Sequence, residues 1–380
     1  MRAATRGSGS TSKPEAQTRG LHSPNWTPID VQSLRGQYTK SFIHLRTFMF
    51  NKFKQSLAAR EVFELVQADL KKVEHEIGIE SIASVEALTT INQYLQSGGG
   101  KRLRPTLLLL ATKMFGPAND TARHLAAVVE MIHTATLVHD DVIDVARTRR
   151  GRPSTNVVWG NHTAVLAGDW LYMQAFQMAL RERNFHMLDV LIALTQMMVE
   201  GELLQLERLR NIDITETDYM ELVDRKTASL FSACARLGAV AAGASESAEN
   251  QLGEFAWNLG MAFQLVDDIL DFTSTEKILG KPAGNDLREG KVTLPLIYAL
   301  ESANAEERHA VETVVMEGNY DEVPFMRIVQ ILERHDAVSR AYERAHAFTA
   351  KSKALIGLFP ENPAQRALQS IVELVTERNA

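Results

Sequence analysis

Two short runs, LVHDDVID at 137–144 and QLVDDILD at 264–271, each set three aspartates into an apolar sequence with the same spacing. On a helix, residues four apart share a face, so Asp140 and Asp144 point the same way and Asp141 lies about 100° round the axis. Asp267 and Asp271 repeat that pattern, with Asp268 as the offset member. Like charges at this spacing cost a helix a few tenths of a kcal/mol. An apolar setting costs more unless a cation neutralises them. Ligands made only of carboxylates suit hard cations, and Mg²⁺ in particular takes one or two carboxylates, keeps waters and bridges to phosphate oxygens. Two such triads facing each other could hold several Mg²⁺ ions with a diphosphate between them.

A phosphate site also needs cations and close backbone approach. GGGKRLRP at 98–105 supplies glycines followed by Lys101, Arg102 and Arg104. RTRRGRPST carries Arg147, Arg149, Arg150 and Arg152 just past the first triad, and GKPAGNDLREGK carries Lys281, Arg288 and Lys291 past the second. Any one such loop is an ordinary solvated turn. Their order, basic loop and acidic helix in alternation, is what carries information.

The rest of the chain reads as helix. From about residue 55 apolar residues recur at helical spacing, as in AAREVFELVQADLKKVEHEI and VLIALTQMMVEGELLQLERL. No alternating strand stands out, and the stretches QSGGGKRLRP, TRRGRPST and RNIDITETDY read as loops. This predicts an all-α fold in a single domain over 46–380. Residues 1–45 are rich in Ser, Thr, Gly and Arg in their first half and read as a disordered or targeting extension. The single cysteine, Cys234, permits no intramolecular disulfide and reads as a small core residue. A cytoplasmic location is expected, or a mitochondrial one if the extension is a transit peptide. The net charge of -6 argues against bulk nucleic-acid binding. The apolar run TLLLLATKMFG is broken by Lys113 and far short of a membrane span, so any membrane contact is peripheral.

These residues together resemble the trans-isoprenyl diphosphate synthases, from about residue 55 to the C-terminus. The resemblance rests on GGKRLRP, HTATLVHDDVIDVARTRRGRPS, Gly168-Asp169, KTASLF, GMAFQLVDDILDF and GKPAGNDLREGKVTLPL, in that order. It implies an antiparallel helical bundle around a deep central cavity, usually a homodimer, that joins isopentenyl diphosphate to an allylic diphosphate with several Mg²⁺ ions. By that likeness the catalytic set is Asp140, Asp141, Asp144, Asp267, Asp268, Asp271, Lys226, Thr227 and Gln264. Arg149, Lys226, Lys281 and Lys291 would contact the allylic diphosphate, with Thr227 and Gln264 beside the reacting carbon. Lys101, Arg104, His133 and Arg150 would bind isopentenyl diphosphate.

Chain length follows from the helix of the first triad. Residues one turn upstream of Asp140 are Ala135 and Thr136, and two turns upstream are Met131 and Ile132. In the family a bulky aromatic at either of the first two positions closes the cavity early. Both are small here, which predicts a channel past that turn and a product of roughly C35 to C50, at about one isoprene unit per 5.4 Å turn. Such a chain suits a quinone tail. Met131, Phe176 and Met173 are candidates for the channel floor. A short-chain synthase, or a non-catalytic partner subunit, is the nearest alternative. A di-iron carboxylate bundle is another, because Glu130, Glu306 and Glu343 each stand three before a histidine. His139, beside Asp140, reads as structural.

Overall fold

The computed structural model describes residues 57–100, 102–273 and 283–376. The extension, Lys101 and Lys281 lie outside the described residues. The chain separates into residues 1–41 and 42–380, and every helix and strand named below belongs to the second unit.

Helices account for nearly all of it. In chain order they are α1 (Leu57–Glu80), α2 (Glu86–Ser97), α3 (Leu103–Lys113), α4 (Asp120–Ile143), α5 (Thr155–Trp159), α6 (Asn161–Arg181), α7 (Phe185–Arg208) and α8 (Glu216–Val223). A π-helical turn, Asp224–Ala228, leads into α9 (Ser229–Ala241). Then come α10 (Glu246–Thr273), α11 (Asn285–Arg288), α12 (Leu294–Leu300), α13 (Ala305–Glu317), α14 (Phe325–Arg334), α15 (Ala337–Ile356) and α16 (Pro363–Thr376). The all-α architecture read from the periodicity holds.

Two loop expectations change in detail. TRRGRPST contains a minimal hairpin in which β1 (Thr148–Arg149) pairs with β2 (Arg152–Pro153). Arg150 and Gly151 both take left-handed φ there, at 55° and 74°, as a two-residue hairpin turn requires. Strands of two residues are too short to show alternation. In RNIDITETDY the loop ends early, because Thr215 and Asp218 form a reciprocal capping box. Tyr219 is thereby a helical residue, packed in the interior at 4% exposure.

The centre of the bundle is α3, α9 and α10. Leu107 to Ala111 of α3 are buried on every side, and each such leucine contributes about 1.5–3 kcal/mol by leaving water. α9 and α10 run antiparallel: Arg236 meets Glu249 at 2.7 Å near one end, and Phe231 meets Phe263 near the other. α10 and α15 are antiparallel too, with Ser352 bonded to the Phe255 carbonyl and Trp257 edge-on to Phe348. So are α4 and α6, tied by Thr121 to Glu182 at one end and His139 to Asp169 at the other. The two helices that end in aspartates are thus each clamped by an antiparallel neighbour.

Candidate active site

Both aspartate triads sit at the C-terminal ends of their helices. α4 ends at Ile143, so Asp144 is its C-cap, and its amide still donates to the Asp140 carbonyl at 2.8 Å. α10 ends at Thr273, two residues past Asp271. Carboxylates there face the negative end of the helix dipole. Neither local propensity nor dipole favours them, which makes these ends places for a cation.

The π-helical turn stands between the two triads. Such turns insert one residue and re-aim side chains. Lys226, on this turn, is the first-ranked of the charges acting on Asp140, and Thr227 donates to Gln264 Oε1 at 2.9 Å. Gln264 Nε2 in turn donates to Asp268 Oδ1 at 2.7 Å. The other oxygen of Asp268 accepts from the Tyr219 hydroxyl at 2.7 Å. Two glycines make room for the turn. A Cβ on Gly201 would stand 2.8 Å from Arg225 Cβ, and one on Gly260 would stand 2.7 Å from Ala228 Cα. Trp257 Nε1 donates to Asp224 at 2.5 Å, and Arg225 pairs with Glu200 and Glu221, fixing its near end.

Burial pushes the Asp140 carboxyl up to about 6, opposed by Lys226 and reinforced by Glu202 and Asp144. Burial also raises Asp268, with Asp286 adding to it and the hydrogen bonds from Tyr219 and Gln264 working the other way. Asp271, at 1% exposure, accepts the Asp286 amide at 3.1 Å, whereas Asp267 is exposed. The offset member Asp141 is gripped by Arg149 through Nε and Nη2 at 2.8 and 2.6 Å. Lys291 links the loop after the second triad to the first, lying 3.5 Å from Asp144 and 2.8 Å from Glu289. Lys226 is held by Glu202 and by Gln205 at 3.0 Å, both on α7. Each described cation assigned to the allylic diphosphate therefore rests on a carboxylate, positioned in advance.

The described residues assigned to isopentenyl diphosphate, Arg104, His133 and Arg150, also gather. Arg104 Nη1 lies 2.9 Å from His133 Nε2. Burial first, then the neighbouring Arg104, hold His133 well below its usual range, so its ring is a neutral acceptor. Arg104 Nε is buried with no partner. Arg150 reaches back to the Gly99 carbonyl, closing the glycine loop. Arg102 turns away to pair with buried Glu130 at 2.6 Å.

The remaining expectations sort cleanly. His139 packs against α6: its ring fills the space a Cβ on Gly168 would take, and its Nε2 lies 3.1 Å from the Val165 carbonyl. Cys234 is fully buried, its thiol pushed up to about 12. The Glu-x-x-His pairs do not share a core, since Glu130 and His133 are taken by arginines while Glu306, His309, Glu343 and His346 face solvent. Ala135, Ile132 and Met131 are buried and Thr136 half-buried. Met173 faces outward, so it does not join Met131 inside a single chain, while Phe176 packs on the core.

Tyr219, Glu202 and Gln205 were not among the residues named from sequence. Thr215-x-x-Asp218 was the available signal for the first; the other two read only as the polar face of α7.

Residues 85–332 match the family model described as polyprenyl synthetase. The chain belongs to the polyprenyl synthetase family. It is 35% identical over 319 residues to the octaprenyl diphosphate synthase of Haemophilus influenzae, covering 84% of this chain and 97% of that one. It is 38% identical over 301 residues to the all-trans-nonaprenyl-diphosphate synthase (geranyl-diphosphate specific) of Rhodobacter capsulatus, covering 79% and 92%. Among solved structures, a polyprenyl synthase from Caulobacter crescentus complexed with calcium and isoprenyl diphosphate superimposes with a TM-score of 0.79 at 35% identity, over 84% and 98%. The family resemblance read from the motifs thus holds, and with it the class of enzyme, a prenyltransferase.

The site's own chemistry fits the metal that the family implies. Asp140 and Asp268 are oxygen donors whose charge burial disfavours. That combination suits a hard cation that completes its shell with water and phosphate oxygens.

Proposed function

We propose that the protein is a long-chain polyprenyl diphosphate synthase, adding isopentenyl diphosphate head-to-tail to a farnesyl- or geranylgeranyl-type allylic diphosphate. The observation that carries this is the π-helical turn set between two aspartate triads, with Lys226 toward one and Thr227 toward the other. Asp140, Asp144, Asp267 and Asp271 would hold Mg²⁺, which when bound neutralises the diphosphate and stabilises it as a leaving group.

The chain's own residues do the rest. Arg149, Lys226 and Lys291 would exchange carboxylate partners for phosphate oxygens as the allylic substrate enters, with Lys281 as a further cation for that diphosphate. That exchange keeps the cations ordered before binding and supports diphosphate departure. The oxygens of Thr227 and Gln264 face the allylic cation left behind. Lys101, Arg104, His133 and Arg150 orient isopentenyl diphosphate so that its double bond attacks that cation. A proton is then lost to the departed diphosphate, so no side-chain nucleophile is needed. Apolar walls keep out water that would quench the cation.

The growing chain would pass Ala135 and Thr136. One turn beyond Ala135, on the same face of α4, Met131 is buried too. Small side chains at the Ala135 turn leave the path beyond it open, which supports a product of roughly C35 to C50. A quinone side chain is the use such a product suits.

Assembly as a homodimer has its own support. Leu166, Met173 and Leu180 on α6 are exposed at seven-residue spacing, and so are Phe185, Ile192, Val199 and Leu206 on α7. Stripes of that period are seams for another helix, and a second copy supplies the same stripes in return. Among the described residues no helix is long and apolar enough to cross a membrane.

The test is incubation with Mg²⁺, isopentenyl diphosphate and farnesyl diphosphate, with products sized by mass spectrometry. A dominant product in the long range is expected. A stop after one addition would replace this reading with a short-chain synthase, and no elongation would leave a non-catalytic subunit.

A further inference from the structure

The four-residue chain from Tyr219 to Thr227 fixes more than packing. Both Asp268 oxygens accept, Oδ2 from the Tyr219 hydroxyl and Oδ1 from Gln264 Nε2 at 2.7 Å, so the Gln264 amide nitrogen is turned inward. The Gln264 carbonyl oxygen then faces Thr227 and takes the hydroxyl hydrogen at 2.9 Å. With its hydrogen committed, the Thr227 oxygen has only lone pairs left for its open side. Were Gln264 flipped, its nitrogen would face Thr227, and the hydroxyl hydrogen would swing toward the substrate, presenting the wrong end of the dipole to a cation. What prevents the flip is the accepting Oδ1 that Asp268 sets against Gln264. That carboxyl is held in turn by the Tyr219 hydroxyl at 2.7 Å, from a side chain 4% exposed and on a different helix. Tyr219 touches neither Thr227 nor Gln264 in any hydrogen bond of the structure; it acts through Asp268.

We propose that Tyr219 is a positioning residue for allylic ionisation: by holding Asp268 it fixes the Gln264 amide, and through it the orientation of the Thr227 hydroxyl. This rests on the prenyl-elongation reading of the site. It assigns Asp268 a second duty, as the hub that sets the polarity of the cation-facing oxygens.

The experiment is a double-mutant cycle in the full-length protein between Tyr219→Phe and Thr227→Val. Phe keeps the ring and removes only the donor. Tyr219→Phe is expected to lower kcat by about 10- to 100-fold, as loss of an orienting partner does, with KM for isopentenyl diphosphate unchanged. In the Thr227→Val background the same substitution is expected to cost nothing further, because the hydroxyl it orients is gone. A second readout is the rate ratio between farnesyl diphosphate and an analogue fluorinated next to the allylic system. Tyr219→Phe should enlarge that ratio, since a cation less well stabilised by the protein is more sensitive to electron withdrawal. A purely packing role would move the melting temperature and leave the ratio alone. Should Tyr219→Phe fail to fold, Gln264→Met with Thr227→Val carries the same test from the middle of the chain. Additive losses, or an unchanged fluorination ratio, overturn the proposal. Wild-type protein that elongates no allylic primer removes instead the functional reading beneath it.

Discussion

Replacing Asp140 by Asn should make the metal-free protein more stable while disabling it. Burial on α4 raises the Asp140 carboxyl from its ordinary 3.8 to about 6. A group whose folded value lies above its unfolded one favours folding below the unfolded value, and that advantage is lost as pH rises through the folded value. Asp140 therefore costs nothing near pH 4 and reaches its full penalty above pH 6. A shift of roughly two units corresponds to about 3 kcal/mol. The amide has nearly the same shape and does not ionise, so Asn carries no such penalty at any pH. Urea denaturation of both proteins in EDTA should show little difference at pH 4 and a gain of about 3 kcal/mol for Asp140→Asn at pH 8. Elongation with Mg²⁺ should fall by about two orders of magnitude or more, as when preorganised charge is removed from a reacting centre. Adding Mg²⁺ with inorganic diphosphate should stabilise wild type far more than the variant, because only the folded wild-type site binds both well. Equal stability at pH 8, or a less stable variant, would refute the claim that Asp140 is held against its electrostatic preference for the sake of the site.

Ala135→Phe should retain turnover and shorten the product, read by mass spectrometry; an unchanged length would show that the chain does not pass this turn of α4. Ile192→Asp combined with Val199→Asp places charge on the exposed seam of α7, and light scattering should show a monomer. Because the same helix holds Lys226 through Glu202 and Gln205, the monomer should also turn over more slowly. A dimer that persists would remove the seam from the interface.

Much of the site was legible because it is written locally. The two triads, the glycine loop and the Lys226-Thr227 pair are short motifs, and their partners in chemistry are substrate and metal rather than distant side chains. Helical periodicity likewise places α4 and α10 without tertiary information, since a stripe of apolar residues every three or four positions has one low-energy use. The π-helical turn at Asp224–Ala228 was not legible, because it depends on two glycines elsewhere, Gly201 and Gly260, yielding space to it. Nor was the fate of Arg149: residue type announces a cation near phosphate, but its present partner is Asp141, eight residues back at the end of α4.

By itself the sequence determined the helical class, the helices on which carboxylates collect, and the kinds of groups available for a diphosphate and its metal. Tertiary structure alone decided that Asp268 is gripped by Tyr219, that Glu202 holds Lys226, and that His139 spends its ring on α6. The physical reason is range. A helix repeats every 3.6 residues and leaves that period in the sequence, whereas a hydrogen bond between residues 219 and 268 is set by how two helices pack and leaves no period at all.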